Sequence, residues 1–336
     1  MKIGILSPVA WRTPPRKYGP WEQVVSCLTE ELVARGVDVT LFATGDSVTA
    51  AKLDHYVDTP YAEDMNADAK VNECLHIGHF MEKAGEFDIV HNHYDFLPLT
   101  YSKLIKTPFL TTIHGFSSPK IVPVFKKYND NTHYVSISNS DRSPELQYIA
   151  TVYNGINTAA FTFREQPRDY LLFFGRIHPE KGAWDAIQVA KKCGKKIILA
   201  GLIQDEVYFN TEVKPLINGD DVVYAGNCGP DERNELLGNA LALLHLIHFN
   251  EPFGLSVAEA MCCGTPVIAF NKGSMPELIL RGKTGYLVET IEEAVDAVSQ
   301  LKSIDRKLCR QWAVDSFSKE KMTSDYIAVY EQILNK

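Results

Sequence analysis

A repeated alternation of short strands and helices constrains this chain more than any other feature. Short apolar runs rich in β-branched and aromatic residues lie at 2–9, 37–43, 87–90, 109–113 and 134–137, separated by stretches of helical spacing. Such alternation predicts a parallel sheet with helices on both faces. The first crossover is the clearest: Val24, Val25, Leu28 and Leu32 repeat at helical spacing over 22–35, and Gly36 follows where a left-handed cap is expected. The pattern restarts after the polar, proline-containing stretch 164–169, with further runs at 170–174, 196–200, 222–224, 240–247 and 265–270. A chain of 336 residues suits two domains. The expected fold is therefore α/β, with two doubly wound domains, 1–165 and 166–316, facing a central cleft. Open α/β sheets bind ligands outside the carboxyl ends of their strands, so function is expected there. The last segment, 317–336, carries Met322, Tyr326, Val329, Tyr330 and Ile333 at helical spacing. It either completes the second domain or crosses back to the first.

Composition excludes several classes. With 45% hydrophobic and 23% charged residues the chain is an ordinary globular one. Its net charge of -8 offers no basic face, so no nucleic-acid partner is expected. Seven cysteines, odd in number and without a C-x-x-C pair, point to a reducing compartment rather than a disulfide framework. The adjacent Cys262 and Cys263 read as small core residues. The first apolar run is broken by Pro8 and followed by Arg12, too short for a signal peptide. No run approaches the length of a membrane span. A cytoplasmic location is expected, with membrane contact at most peripheral.

Two charged motifs carry the chemistry. The segment 251–259 reads Glu251-Pro252-Phe253-Gly254-Leu255-Ser256-Val257-Ala258-Glu259 and sets two carboxylates around a turn that opens an almost uncharged helix. Glu259 is the one charge from 255 to 263. Either it faces solvent on an ordinary amphipathic helix, or it is buried and a ligand or partner must supply its hydrogen bonds, as ribose or hexose hydroxyls would. The second motif, 173–182, delivers Gly175 from a strand into a turn, with Arg176 at the strand's end and Lys181 at the start of the next helix. A bidentate guanidinium and a compact ammonium aimed at one place suit a diphosphate whose charge grows as its bond to a sugar breaks. The plainer alternative is a surface ion pair involving Glu180. No G-x-G triplet occurs among the 21 glycines, which removes the dinucleotide fingerprint. His91 and His93, two apart on a strand, share a face and would suit zinc if a third ligand arrived; His76 and His79 lie three apart. No third ligand is visible, and packing or acceptor contact is the preferred reading. With no D-x-D tripeptide either, no metal is implied.

Together these segments resemble the retaining nucleotide-sugar glycosyltransferases of glycosyltransferase family 4, which have the GT-B fold. The likeness is strongest over 170–287 and includes Gly264-Thr265-Pro266-Val267-Ile268-Ala269 and Gly285-Tyr286-Leu287-Val288. In the first half, Tyr18-Gly19-Pro20-Trp21-Glu22 is similar to the family's glycine-rich loop, His114-Gly115 ends a strand as its active-site histidine does, and Val152-Tyr153-Asn154-Gly155-Ile156 is similar to its interdomain segment. Pro20 departs from the pattern and has no N–H to offer a phosphate, while the Gly19 amide remains.

The resemblance implies roles. Arg176 and Lys181, beside Gly175, would hold the diphosphate, and Glu259 the ribose hydroxyls. Glu251 with the amides of Phe253, Gly254 and Leu255 would hold the transferred sugar, a reading that unpaired N–H groups at a helix start support. Gly19 would face the donor, and His114 would reach a sugar hydroxyl unless it is simply a packing residue. The implied protein transfers a hexose from a nucleoside diphosphate sugar, UDP-glucose or GDP-mannose, to an acceptor hydroxyl in polysaccharide or glycoconjugate biosynthesis. It does so with retention, forming an α-glycosidic bond, without metal or other cofactor. The acceptor, a sugar, lipid-linked sugar or small molecule, would meet loops 11–21 and 116–131, where Trp11, Trp21, Tyr94 and Phe116 are candidates for stacking or for core packing. The alternatives are a sugar-nucleotide epimerase or hydrolase of the same fold and a non-catalytic sugar-nucleotide-binding protein.

Overall fold

In the computed structural model, which describes residues 1–116 and 118–335, the alternation becomes two all-parallel sheets. Ser117, within the loop expected to meet the acceptor, and Lys336 lie outside the described residues. The first sheet comprises β1 (Lys2–Leu6), β2 (Asp38–Phe42), β3 (Lys52–Asp54), β4 (Ile89–Asn92), β5 (Phe109–Ile113), β6 (His133–Ser136) and β7 (Tyr148–Thr151), in the order β3-β2-β1-β4-β5-β6-β7. The second comprises β8 (Tyr170–Phe174), β9 (Lys196–Ala200), β10 (Val222–Tyr224), β11 (Ala242–His245), β12 (Val267–Phe270) and β13 (Gly285–Val288), in the order β10-β9-β8-β11-β12-β13. Each order reverses once, beside β1 in the first sheet and beside β8 in the second. At such a switch point neighbouring crossovers leave on opposite faces and open a crevice at the strands' carboxyl ends.

The central strands are buried along most of their length, as parallel strands covered on both faces must be. In the second unit Leu171, Ile197, Leu199, Leu244 and Ile268 form a core with Ile187 and Ala190 of the helix Ala183–Lys192 and Ala294 and Val298 of the helix Ile291–Gln300.

The chain divides into one unit of 1–155 with 319–336 and another of 156–318. The polar stretch read as a linker, 164–169, therefore belongs to the second unit. Its backbone is tied there, Arg164 N donating to Cys263 O at 3.0 Å and Arg168 N to Asn239 O at 2.7 Å. The helix Lys319–Leu334 belongs to the first unit. Lys319 pairs with Glu31 at 3.1 Å, and Arg35 Nη1 donates to Ser324 Oγ at 2.8 Å. Among the described residues no helix is long and apolar enough to cross a membrane.

Candidate active site

Both charged motifs lie at the switch point of the second sheet, one following β8 and the other following β11. Gly175 leaves β8, and Arg176 follows half-buried, its Nη1 donating to Gln204 Oε1. Lys181 ends a 3-10 turn, Pro179–Lys181, just ahead of the helix Ala183–Lys192 rather than inside it. Gly182 makes that turn at φ 74°, and a Cβ there would meet the carbonyl oxygen of Leu246 at 1.9 Å. The turn thus rests directly on the backbone at the end of β11, and this close approach brings Lys181 to the second motif.

Lys181 Nζ pairs with Glu251 Oε2 at 2.5 Å, both side chains being largely buried, and lies 4.7 Å from the centroid of the Phe249 ring. Its partner is therefore Glu251 and not Glu180. Arg176 and Lys181 have different partners rather than a shared one. The Glu251 loop is held from beneath: Ser274 N donates to Glu251 O at 3.0 Å and Ser274 Oγ to Phe253 O at 2.6 Å. Gly254 then caps the helix Leu255–Cys262 at φ 93°, and the first helical donor is Val257 N to Gly254 O. The amides of Gly254 and Leu255 precede that donor, so the helix start presents N–H groups beside Glu251.

Glu259 is 5% exposed, which removes the solvent-facing reading. Its protein partner is Arg233, on the helix Pro230–Asn239, with Nη1 3.2 Å from Oε1. Burial pushes the Glu259 carboxyl up and the guanidinium partly offsets it. Arg233 lies over Phe161 at 5.5 Å, and its Nε is buried with no partner among the described residues.

In the first unit Gly19 caps the helix Pro20–Ala34 at φ 151°, and a Cβ there would meet Pro15 Cβ at 2.7 Å. Pro20 takes the first helical position, where its missing N–H costs no helical bond. Glu22 in the first turn is buried, and its Oε1 accepts from Trp11 N at 3.2 Å. His114 follows β5, is buried, and bonds His93 Nδ1 through Nε2 at 2.9 Å. Trp21 stacks on its ring at 5.4 Å. Burial pushes the His114 imidazole down to about 3. His91 and His93 are engaged with each other, with Thr112 and with Tyr330. His76 bonds Ser7 O at 2.9 Å and His79 pairs with Asp54 at 2.8 Å. Of the four aromatics, Tyr94 is a core residue, Phe116 packs edge-on against Phe125, and Trp11 packs edge-on against Tyr18.

Sequence reasoning missed Arg233 and His245. His245 ends β11, is buried, and has Nε2 3.8 Å from Glu251 Oε2; burial pushes its imidazole down to about 4. Its signal was a lone histidine in the apolar run 240–247, which reads as packing. Arg233 sits in the charged string 231–235, indistinguishable in sequence from a solvated helix face.

Comparison with known proteins identifies the family and the fold. The description "Glycosyltransferase Family 4" matches 22–160 and "Glycosyl transferases group 1" matches 158–316. The chain belongs to these glycosyltransferases and has their GT-B fold. It is 28% identical to the N-acetyl-alpha-D-glucosaminyl L-malate synthase of Bacillus anthracis, over 74% of this chain and 75% of that one. In structure it resembles the sucrose-phosphate synthase of Thermosynechococcus elongatus, with TM-score 0.80 and 18% identity over 100% of this chain and 99% of the other. It also resembles Anabaena HepE solved with UDP and glucose, with TM-score 0.75 and 18% identity over 98% and 99% of the two chains.

Proposed function

We propose that this glycosyltransferase moves a hexose, glucose or mannose, from a nucleoside diphosphate sugar to an acceptor hydroxyl with retention, and that it does so without a metal. The observation that carries the reading is the Lys181–Glu251 ion pair, next to the start of the helix that carries the buried Glu259 in its second turn. A donor would exchange this pair for its own groups: the diphosphate takes Lys181 and the sugar hydroxyls take Glu251, so neither charge is left unpaired. Arg176, five residues upstream of Lys181, supplies a second cation, and Glu259 accepts from the ribose diol.

The bond from the anomeric carbon to the diphosphate oxygen breaks with its electron pair going to that oxygen. The acceptor hydroxyl oxygen bonds to the anomeric carbon on the same face, and its proton passes to the departing phosphate oxygen. No enzyme nucleophile enters. The chain's part is electrostatic, since fixed cations and helix amides stabilise charge that grows as the bond breaks. The roles of Gly19 and His114 rest on the family resemblance. The HepE structure with UDP and glucose supports UDP-glucose as the first donor to try, with GDP-mannose beside it.

A thermal-shift series with UDP, GDP, UDP-glucose and GDP-mannose tests the reading. At 100 times its dissociation constant a true donor stabilises the fold by about 2.7 kcal/mol, and Glu259→Ala should abolish the shift given by the diphosphate alone. No shift with any of the four at millimolar concentration would contradict it.

A further inference from the structure

His245, the last residue of β11, is 6% exposed, and its Nε2 is buried with no hydrogen-bond partner among the described residues. That atom lies 3.8 Å from Glu251 Oε2, the same oxygen that Lys181 Nζ holds at 2.5 Å. The gap is too long for a hydrogen bond and short enough for a small side-chain rotation to close. Among the described residues, Lys181 and His245 are the two basic side chains that reach Glu251. The backbones on both sides are fixed. His245 pairs with Ala269 in the sheet, and Gly273 lies so close to the Glu251 backbone that a Cβ there would meet Glu251 N and O at 2.4 Å. Burial pushes the His245 imidazole down to about 4, while Glu251 draws it up and Lys181 holds it down. With Lys181 on Glu251 the ring is therefore neutral at pH 7 and makes no bond through Nε2.

The exchange proposed for the donor produces a state in which this ring is needed. Once the sugar has been transferred and the nucleoside diphosphate remains, Lys181 is on the diphosphate and no sugar hydroxyl reaches Glu251. A largely buried carboxylate is then left with neither partner, which is strongly unfavourable. We propose that His245 is a positioning residue that takes over Glu251 whenever the diphosphate draws Lys181 away, its Nε2–H donating to Oε2. The diphosphate rests on the function proposed above; the contact between His245 and Glu251 rests on this geometry. A carboxylate only accepts, so the proton is on Nε2 in that state, whichever nitrogen carries it in the free protein. Bonding Oε2 leaves Oε1 open, and an incoming sugar then meets a carboxylate already oriented toward it.

Lys181→Ala withdraws the ammonium without any ligand, and NMR of protein carrying nitrogen-15 histidine reads the result. The His245 ring is assigned by its loss in His245→Phe. Wild type should show no hydrogen-bonded proton on His245 Nε2. In Lys181→Ala a downfield Nε2–H proton, slow to exchange with water, should appear, and Glu251→Ala added to that variant should remove it. A folded Lys181→Ala protein without this proton overturns the proposal. Wild type saturated with UDP or GDP, whichever raises Tm, should show the same proton, and this reading needs no variant of Lys181 to fold. Titration calorimetry separates positioning from a merely structural role. His245→Phe should weaken that nucleoside diphosphate by about tenfold or more, the weight of one hydrogen bond to a charged group. It should weaken the matching nucleotide sugar by less, because sugar hydroxyls then serve Glu251. Equal losses for the two ligands overturn the proposal. Wild type that binds neither diphosphate counts against the proposed function, while the ligand-free Lys181→Ala spectrum still decides whether His245 takes over Glu251.

Discussion

Glu259 and Lys181 are both buried charges, yet they should fail differently when removed. Glu259 is assigned to ribose hydroxyls, which do not change during reaction, so Glu259→Ala should chiefly raise the donor KM. Lys181 is assigned to the diphosphate, whose oxygens gain charge, so Lys181→Ala should lower kcat by roughly a hundredfold, as one such contact is worth about 3 kcal/mol. Steady-state kinetics with saturating donor separates the two, and a kcat within about threefold of wild type in Lys181→Ala would remove its role. Glu22 yields a stability test. Burial pushes its carboxyl from 4.5 up to about 7. Between those values the folded chain keeps a proton that the unfolded chain has lost, so this group's contribution to stability falls as pH rises through the window. Glu22→Gln can still accept from Trp11 N and removes that loss, on the order of 3 kcal/mol once above the window. The variant should therefore gain Tm over wild type at pH 8 and much less at pH 4.5; equal differences at both would show that Glu22 ionises freely. Glu259 was legible because it is the one charge in the apolar stretch 255–263, and Lys181 and Glu251 because each lies in a turn motif just after a strand. Arg233 was not, because its burial depends on how the helix Pro230–Asn239 packs, and helix faces cannot be read from a string of five polar residues.

At the scale of elements, a close backbone contact does what no side chain could. Gly182 joins the end of β8 to the end of β11, with φ 74° and a carbonyl oxygen 1.9 Å from where a Cβ would stand. Gly194 has φ 60° but nothing within 4 Å. Alanine at Gly194 should cost about 1 kcal/mol, the left-handed term alone, whereas Gly182→Ala should cost at least about twice that and lower Tm by several degrees. Thermal melts of the two variants decide it, and equal losses would mean that the turn relaxes away from Leu246 freely. Strands 170–174, 196–200 and 222–224 were legible to the residue, being short, apolar and bounded by turns. β3 was not, because this edge strand reads Lys52-Leu53-Asp54 and has one apolar residue; β7, at the other edge, is apolar but only four residues long and half-buried. The stretch 164–169 looked like a linker because it is polar, but its backbone bonds to Cys263 and Asn239 are invisible in composition.

For the whole molecule, two parallel sheets could be read from the alternation, and the family from the motifs at the ends of β8 and β11. The unit to which the final helix belongs could not be read, because helical spacing gives the apolar face of 322–334 and not what it meets; the contacts of Lys319, Ser324 and Tyr330 decide that. Retention of configuration is the consequence of the proposed chemistry that reaches furthest: fixed cations draw the diphosphate away while the acceptor enters on the face it leaves. Proton NMR of the product formed from an α-linked nucleotide sugar, in a reaction run with EDTA, tests this most directly. The account predicts turnover under chelation and an α-linked product; a β-linked product would contradict it.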